Sequence, residues 1–233
     1  MAAESDPSAR LAIALDTDDV DEAMQWARAV KGMFGIAKVG LQLFSAYGPD
    51  ALEPLMRLGF KIFLDLKLHD IPVTVEKSAK VISKLGVAYM TVHAAGGVDM
   101  VKAAASGLNE GAASANISSP QLLGVTILTS VPMASSADLS ARISILIEAG
   151  ADGLVCAPTD LIRINSLVPG FVKVVPGIRR LEDSLGDQAR VSSPDEALAA
   201  GADILVIGRP ITASPDPRRA AEEFFSIVKN RSN

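Results

Sequence analysis

A single (β/α)8 TIM barrel of the α/β class is the fold this sequence predicts, and three observations carry the prediction. Eight short apolar runs recur along the chain, each followed by a stretch of helical periodicity. Glycine ends several of those helical stretches, at Gly59, Gly86, Gly150 and Gly201, where a chain leaving a helix favours it. The segments Ala149-Gly-Ala-Asp-Gly-Leu-Val155 and Ala200-Gly-Ala-Asp-Ile-Leu-Val206 are near copies of one helix-to-strand connection. Eight such units in roughly 250 residues is the size of a closed parallel barrel. A doubly wound open sheet is the runner-up, and the first strand lacks the glycine-rich dinucleotide fingerprint that would favour it.

Taken in order, residues 1–10 read as a polar leader. Glu4 and Asp6 stand in it without an apolar core, so it lacks the pattern of a secretory signal. Residues 11–233 then form the one barrel domain. Residues 11–16 make a buried strand, and Thr17, Asp18 and Asp19 offer caps for a helix over 20–33. A second strand over 36–41 leads into a helical stretch that breaks near Gly48 and Pro49 and resumes over 50–58. The third strand covers 61–67. Pro72 then sits at the tolerated first turn of a helix reaching residue 85. Strand four is 89–94, Gly96 and Gly97 turn into a helix over 98–108, and the polar stretch 109–119 reads as a loop. Strand five follows over 122–128, and a helix capped by Ser135 runs to residue 149. Strand six is 153–157, with a short helix over 160–167. Strand seven is 172–176, and a long polar loop over 177–193 precedes a helix over 194–200. Strand eight is 204–208, and 217–230 is the closing helix.

The chemistry concentrates on Lys61-Ile-Phe-Leu-Asp-Leu-Lys-Leu-His-Asp-Ile71. At a strand's period of two, Leu64, Leu66 and Leu68 share one face, and Phe63, Asp65 and Lys67 share the other. Asp70 follows just past the strand. Parallel strands are covered on both faces, so an inward acid and amine are costly unless they pair. A structural ion pair at a strand end is the plain alternative, since such pairs also perturb pKa values.

In a barrel the C-terminal strand ends form one mouth, and the unusual polar residues fall there. Strand one ends in Asp16, strand two carries Lys38, strand three carries Asp65 and Lys67, and strand four ends near His93. Each has a structural explanation on its own: Asp16 as a helix cap, Lys38 as a snorkelling amine, His93 as a core imidazole. Alternating acids and amines at consecutive strand ends are harder to dismiss together. Across the mouth, Pro176-Gly-Ile-Arg179 and Gly208-Arg-Pro-Ile211 put glycine amides and arginines where barrels frequently hold phosphate. This predicts a phosphorylated substrate, with turn glycines and a surface-paired Arg209 as the alternative.

Composition closes off other classes. The chain has 233 residues, 49% hydrophobic and 21% charged, enough for a large core. A net charge of -5 and 4% aromatics, with no basic stripe, argue against nucleic acid as a partner. A lone Cys156 excludes an intrachain disulfide and a cysteine-rich zinc site, and His69 and His93 are too few for a multi-histidine metal site. Apolar runs break well before the ~20 residues of a membrane span. The expectation is a cytoplasmic protein with no membrane partner.

In these residues the chain resembles the orotidine 5′-phosphate decarboxylase family, of the bacterial type. The resemblance runs from Ala14-Leu-Asp16 through Lys38-Val-Gly40, Phe63-Leu-Asp-Leu-Lys-Leu-His-Asp-Ile-Pro72, Val92-His-Ala-Ala-Gly-Gly97, Val125-Thr-Ile-Leu-Thr-Ser130, Pro176-Gly-Ile-Arg179, Gly186-Asp-Gln188 and Gly208-Arg-Pro-Ile211. The segment between Ser130 and Gly153 departs from the bacterial pattern by being shorter. The resemblance implies decarboxylation of orotidine 5′-phosphate to UMP, in pyrimidine synthesis, with neither cofactor nor metal. It makes Lys67 the proton donor to C6 of the pyrimidine and sets Asp65 beside the departing carboxylate. Lys38 would link the charged row and touch the ribose, with Asp16 on a ribose hydroxyl. Asp70, Ile71 and Thr74 would complete the neighbouring site of a homodimer. Thr129 would bond the pyrimidine. Pro176, Arg179, Gln188, Gly208 and Arg209 would serve the phosphate and the loop that closes over it.

Physical chemistry is consistent with those roles. An amine between carboxylates keeps its charged form favoured, so Lys67 suits an acid rather than a base. Two other readings compete. A metal-dependent sugar-phosphate decarboxylase or aldolase on the same barrel would need a further acid to hold Mg²⁺, and strand two offers Lys38 with none beside it. A catalytically silent nucleotide sensor is compatible with the fold, and an intact Lys67 argues against it.

Overall fold

The computed structural model describes residues 6–131, 135–180 and 190–231. Its centre is a closed barrel of eight parallel strands in sequence order, with β8 returning to pair with β1. In chain order the elements are β1 (Leu11–Ala14), α1 (Val20–Val30), β2 (Ile36–Gly40), α2 (Leu41–Tyr47), α3 (Leu52–Arg57), β3 (Lys61–Leu68) and α4 (Pro72–Ser83). Then come β4 (Tyr89–His93), α5 (Gly97–Ala115), β5 (Gln121–Val125), α6 (Ser136–Ala149), β6 (Gly153–Val155) and α7 (Leu161–Leu167). The circle closes with β7 (Val172–Val175), α8 (Pro194–Ala199), β8 (Ile204–Ile207), the short α9 (Arg209–Thr212) and α10 (Pro217–Arg231).

Strand periodicity divides the core in two. Ala12, Ala14, Ile36, Phe63, Leu123, Val125, Val155, Val174, Ile204 and Val206 point inward and fill the barrel. Their neighbours Leu11, Ile13, Ala37, Val39, Ile62 and Leu64 point outward and pack under the helices. The faces expected for the third strand hold: Phe63 belongs to the inner cluster, while Leu64, Leu66 and Leu68 belong to or pack on the outer one.

The predicted caps are in place. Asp19 accepts the amides of Asp21 and Glu22 at the start of α1, and Ser135 accepts that of Asp138 at α6. The two near-copied connections have one structural logic. Gly150 and Gly201 take the left-handed backbone after α6 and α8, with φ of 72° and 94°. Two residues on, Asp152 accepts the amide of Leu122 at 2.7 Å, and Asp203 accepts that of Lys173 at 2.8 Å. Each copy thus ties the foot of its strand to the preceding one.

Three expectations need correction. The stretch 109–119, read as a loop, is helix to residue 115. Its small residues are what let it pack: a Cβ on Gly107 would lie 2.2 Å from the Glu76 carbonyl oxygen, and one on Gly111 2.2 Å from that of Lys80. Leu108, Gly111 and Ala112 are buried in the resulting close approach of α5 to α4, and Asn116 ends the helix in the left-handed region. The first helix stops at Val30, short of residue 33, where the chain turns through Gly32 at φ 83°. Strand five ends at Val125, so Thr129 stands in a loop beyond the sheet.

Candidate active site

The C-terminal mouth holds a cavity of about 480 Å³, within the range of small-molecule sites. Asp16, Lys38, Asp65, Lys67, Thr129, Pro176, Arg179, Gly208 and Arg209 all line it. Residues that the chain spreads over nearly two hundred positions are brought together because successive strand ends are neighbours on one rim.

The charged row lies along β1 to β3. Lys38 Nζ is 2.8 Å from Asp16 Oδ1 and 3.7 Å from Asp65 Oδ2. Lys67 Nζ is 2.8 Å from the same Asp65 oxygen. Burial differs along the row: the Asp65 side chain is 9% exposed and that of Lys38 11%, against 32% for Lys67 and 58% for Asp16. Burial alone would push the Lys38 ammonium down, yet Asp16 and Asp65 outweigh it and hold its pKa above the ordinary lysine value. Burial would likewise raise Asp65, and the charges of Lys38 and Lys67, with hydrogen bonds from Lys67 and Thr91, hold it below the usual carboxylate range. Gly40 leaves the room this requires, since a Cβ there would meet Asp16 Oδ1 at 3.0 Å and Lys38 Nζ at 3.1 Å.

Simple alternation does not describe how Lys67 is presented. Between Leu64 and Leu68 the register against β4 shifts, and Lys67 has φ 52°. Such a backbone costs a non-glycine residue about 1–2 kcal/mol, and strain of this kind collects at functional sites. The Lys67 amide donates to Thr91 Oγ1 at 2.8 Å, and that hydroxyl donates to Asp65 Oδ1 at 3.0 Å.

The opposite wall comes from β7 and β8. Arg179 is buried and donates to the Ile178 carbonyl at 2.8 Å. Arg209 is exposed and opens α9 after Gly208. Sequence reasoning missed a third arginine. Arg190 pairs with Asp160 at 2.7 Å, both nearly buried, and donates to the Leu128 carbonyl at 3.1 Å. It thereby ties the approach to α8 to the loop that carries Thr129. Cys156 also lines the cavity, with burial pushing its thiol well above the ordinary value, so it is no nucleophile at neutral pH.

Other expected site residues lie elsewhere. Asp70, Ile71 and Thr74 are exposed and do not line the cavity of their own chain; the Asp70 carboxylate accepts the Ile71 amide at 2.7 Å. Lys67 is therefore paired with Asp65 rather than held between two acids of its own chain. His93 turns its Nδ1 to the Ala95 amide at 3.3 Å, and its ring centroid lies 5.5 Å from that of His69. Burial first, then His69, Arg142 and Lys67, holds His93 below the ordinary imidazole value. Gln188 lies outside the described residues. Among the described residues no group of three or more His, Cys, Asp or Glu side chains is placed to hold a metal ion, and no helix is long and apolar enough to cross a membrane.

Fold and site together define a (β/α)8 barrel whose mouth sets a row of alternating lysines and aspartates, buried at its centre, against an arginine-bearing wall. The chain belongs to the orotidine 5′-phosphate decarboxylase / HUMPS family, whose profile matches residues 9–224. It is similar to orotidine 5′-phosphate decarboxylase of Anaeromyxobacter sp. strain K, 44% identical over 226 residues, covering 92% of this chain and 96% of the relative. The counterpart from Thermobifida fusca is also 44% identical, covering 92% of this chain and 93% of the relative. Among solved structures, orotidine 5′-phosphate decarboxylase from Lactobacillus acidophilus superposes with a TM-score of 0.82 at 33% identity, covering 94% of this chain and 99% of that one.

Proposed function

We propose that this protein decarboxylates orotidine 5′-phosphate to UMP in pyrimidine synthesis, with Lys67 protonating C6 and with no cofactor or metal. The observation that carries the reading is the row Lys38–Asp65–Lys67, at 3.7 and 2.8 Å, opening into a cavity whose far wall holds Arg179 and Arg209. Family membership and the named relatives support the activity itself.

The steps follow from the charges. The bond from C6 to the carboxylate breaks, carbon dioxide leaves, and the electron pair stays on C6. An ammonium about 4 Å away stabilises that charge by roughly 4 kcal/mol at an effective dielectric of ~20, about a thousandfold in rate. Because the Lys67 ammonium is set in advance by Asp65, no reorganisation is needed as the charge develops. Its Nζ proton then forms the new C6–H bond. Asp65 beside the substrate carboxylate raises the ground state, and departure of carbon dioxide relieves that repulsion.

Binding falls to the remaining residues. Asp16 and Lys38 hold ribose hydroxyls, Thr129 bonds the pyrimidine, and Pro176, Arg179, Gly208 and Arg209 take the phosphate, joined by Gln188. Phosphate contacts remote from C6 supply the binding energy that closes the loop over the site. Asp70, Ile71 and Thr74 complete the site of a second copy in a homodimer. The exposure of Ile71 and Val73, 61% and 48%, supports a covered surface there.

The test follows the absorbance of orotidine 5′-phosphate with purified protein and no added metal. Conversion that persists in EDTA is expected. Activity lost in EDTA and restored by Mg²⁺ would assign the metal-dependent sister reaction, and UMP binding without turnover would assign a sensor.

A further inference from the structure

We propose that Thr91 is the positioning residue for the Asp65–Lys67 pair: one buried hydroxyl holds the backbone of the proton donor and the carboxylate that aims it. The inference rests on the decarboxylase reading above and extends it to a residue that touches no substrate.

Thr91 is the middle residue of β4 and is fully buried. Across from it β3 departs from a regular ladder: Leu64 pairs with Met90, but the next pairing is Leu68 with Val92. Four steps along one strand face two along the other, and Lys67 lies in the surplus with its φ of 52°. A bulged residue loses its ladder partner, and a buried amide must find another. Here the partner is Thr91 Oγ1, at 2.8 Å from the Lys67 nitrogen.

A hydroxyl has one proton to give as well as lone pairs to accept with. The Thr91 proton goes to Asp65 Oδ1 at 3.0 Å. That leaves Asp65 Oδ2 to Lys67 Nζ at 2.8 Å and Lys38 Nζ at 3.7 Å. The carboxylate is thus gripped on both oxygens, and its orientation is set by β2, β3 and β4 together. Threonine suits the position, because β-branching restricts χ1 and points the hydroxyl one way. Valine would keep the shape and strand both a buried amide and a buried carboxylate oxygen.

The charged groups that bear on Asp65 are Lys38 from β2 and Lys67 from β3; Asp16 pairs with Lys38, and Lys67 in turn bears on His93 at the end of β4. Thr91→Val removes neither lysine, but it takes away one hydrogen bond that favours ionised Asp65 and loosens the hold on Lys67. Its protonation then begins at a higher pH.

The experiment compares Thr91→Val and Thr91→Ser with the wild type in kcat, KM and the pH profile of kcat/KM for orotidine 5′-phosphate, with a crystal structure of Thr91→Val. Thr91→Val is expected to lose roughly 10- to 100-fold in kcat, with KM within about threefold and the acid limb moved to higher pH. Thr91→Ser should recover most of the loss, and the valine structure should show Lys67 Nζ displaced from Asp65. Wild-type kcat and an unmoved acid limb in Thr91→Val would overturn the inference. So would equal losses in both variants with an unmoved limb and a lower Tm, since that marks a scaffold residue. A wild type inactive on orotidine 5′-phosphate would instead overturn the decarboxylase reading. In that event the valine structure decides Thr91: unchanged Lys67 and Asp65 geometry rejects its role, and displacement supports it.

Discussion

The two arcs of the barrel mouth are built on opposite terms. Along β1 to β3, cations and anions alternate at 2.8 to 3.7 Å, and the central pair Lys38 and Asp65 is almost fully buried. Two ammonium groups and two carboxylates leave that arc formally neutral. Along β7 and β8 the described residues that line the cavity include Pro176, Gly177 and Gly208 with Arg179 and Arg209, and no carboxylate is among them. The first arc is pre-assembled: its charges already satisfy one another, so their positions are held before any ligand arrives. The second brings two arginines to the cavity, side chains suited to recognition of an anion. On the proposed function, the row gains from being held in advance of a developing carbanion, and the wall gains from arginines that an anion can reach.

Breaking the first arc is expected to have the largest effect. Lys67→Ala should lower kcat by roughly a thousandfold or more, while UMP affinity, measured by calorimetry, stays within about an order of magnitude. Unchanged turnover would remove Lys67 from the chemistry. In the second arc, Arg209→Ala should lower kcat/KM for orotidine 5′-phosphate by roughly 10- to 100-fold, the worth of a charge-assisted hydrogen bond. For orotidine, which lacks the phosphate, kcat/KM should not move. Equal losses on both substrates would erase the division between the arcs.

Titration sharpens the comparison with a smaller effect. Asp65 is held below its usual range, so its stabilisation is present above the unfolded value near about pH 4 and is lost as pH falls through the lower folded value. Lys38 is held above its usual value, so its share is present below about pH 10 and is lost only as pH rises through the raised value. The difference in thermal midpoint between wild type and Asp65→Asn should therefore be flat from about pH 5 to 9 and shrink as pH falls below that window. A gap that closed near neutrality would contradict a pre-assembled arc.

The smallest effect lies outside both arcs. Gly111→Ala sets a Cβ 2.0 Å from Ser83 Oγ and 2.2 Å from the Lys80 carbonyl oxygen. Overpacking of this kind costs about 1–3 kcal/mol, or a fall of several degrees in Tm for a chain of this size. Neither kcat nor the orotidine comparison should change. A shift in either would mean that the α4–α5 contact, and not the strand ends alone, sets the mouth.

Most of the barrel was legible because its strands are short apolar runs with helical periodicity between them, and because the polar exceptions fall at strand ends. Lys38, Asp65 and Lys67 stood out as charges inside such runs, and all three line the cavity. The helical end of α5 was not legible: alanine, glycine, serine and asparagine over 109–115 look like a loop until α4 is set against them. Thr91 gave only a faint signal, a hydroxyl on the same strand face as Tyr89 and His93. Its meaning needs the bulge across from it, which no periodicity announces. Asp70 illustrates the reverse, a charge prominent in the sequence whose side chain turns to its own backbone, outside this chain's cavity.

The list of parts comes from the chain alone: eight βα units, an inward face on each strand, and a set of ionisable groups at one rim, all consequences of local periodicity and of the cost of burying charge. How those parts meet is settled by the three-dimensional fold. Strand register places Lys67 in a left-handed backbone beside Thr91. Barrel closure brings Arg209 of the last unit to the same cavity as Asp16 of the first. Register and closure depend on pairings between distant segments, and a local pattern of apolar and polar residues carries no record of which neighbour it will face.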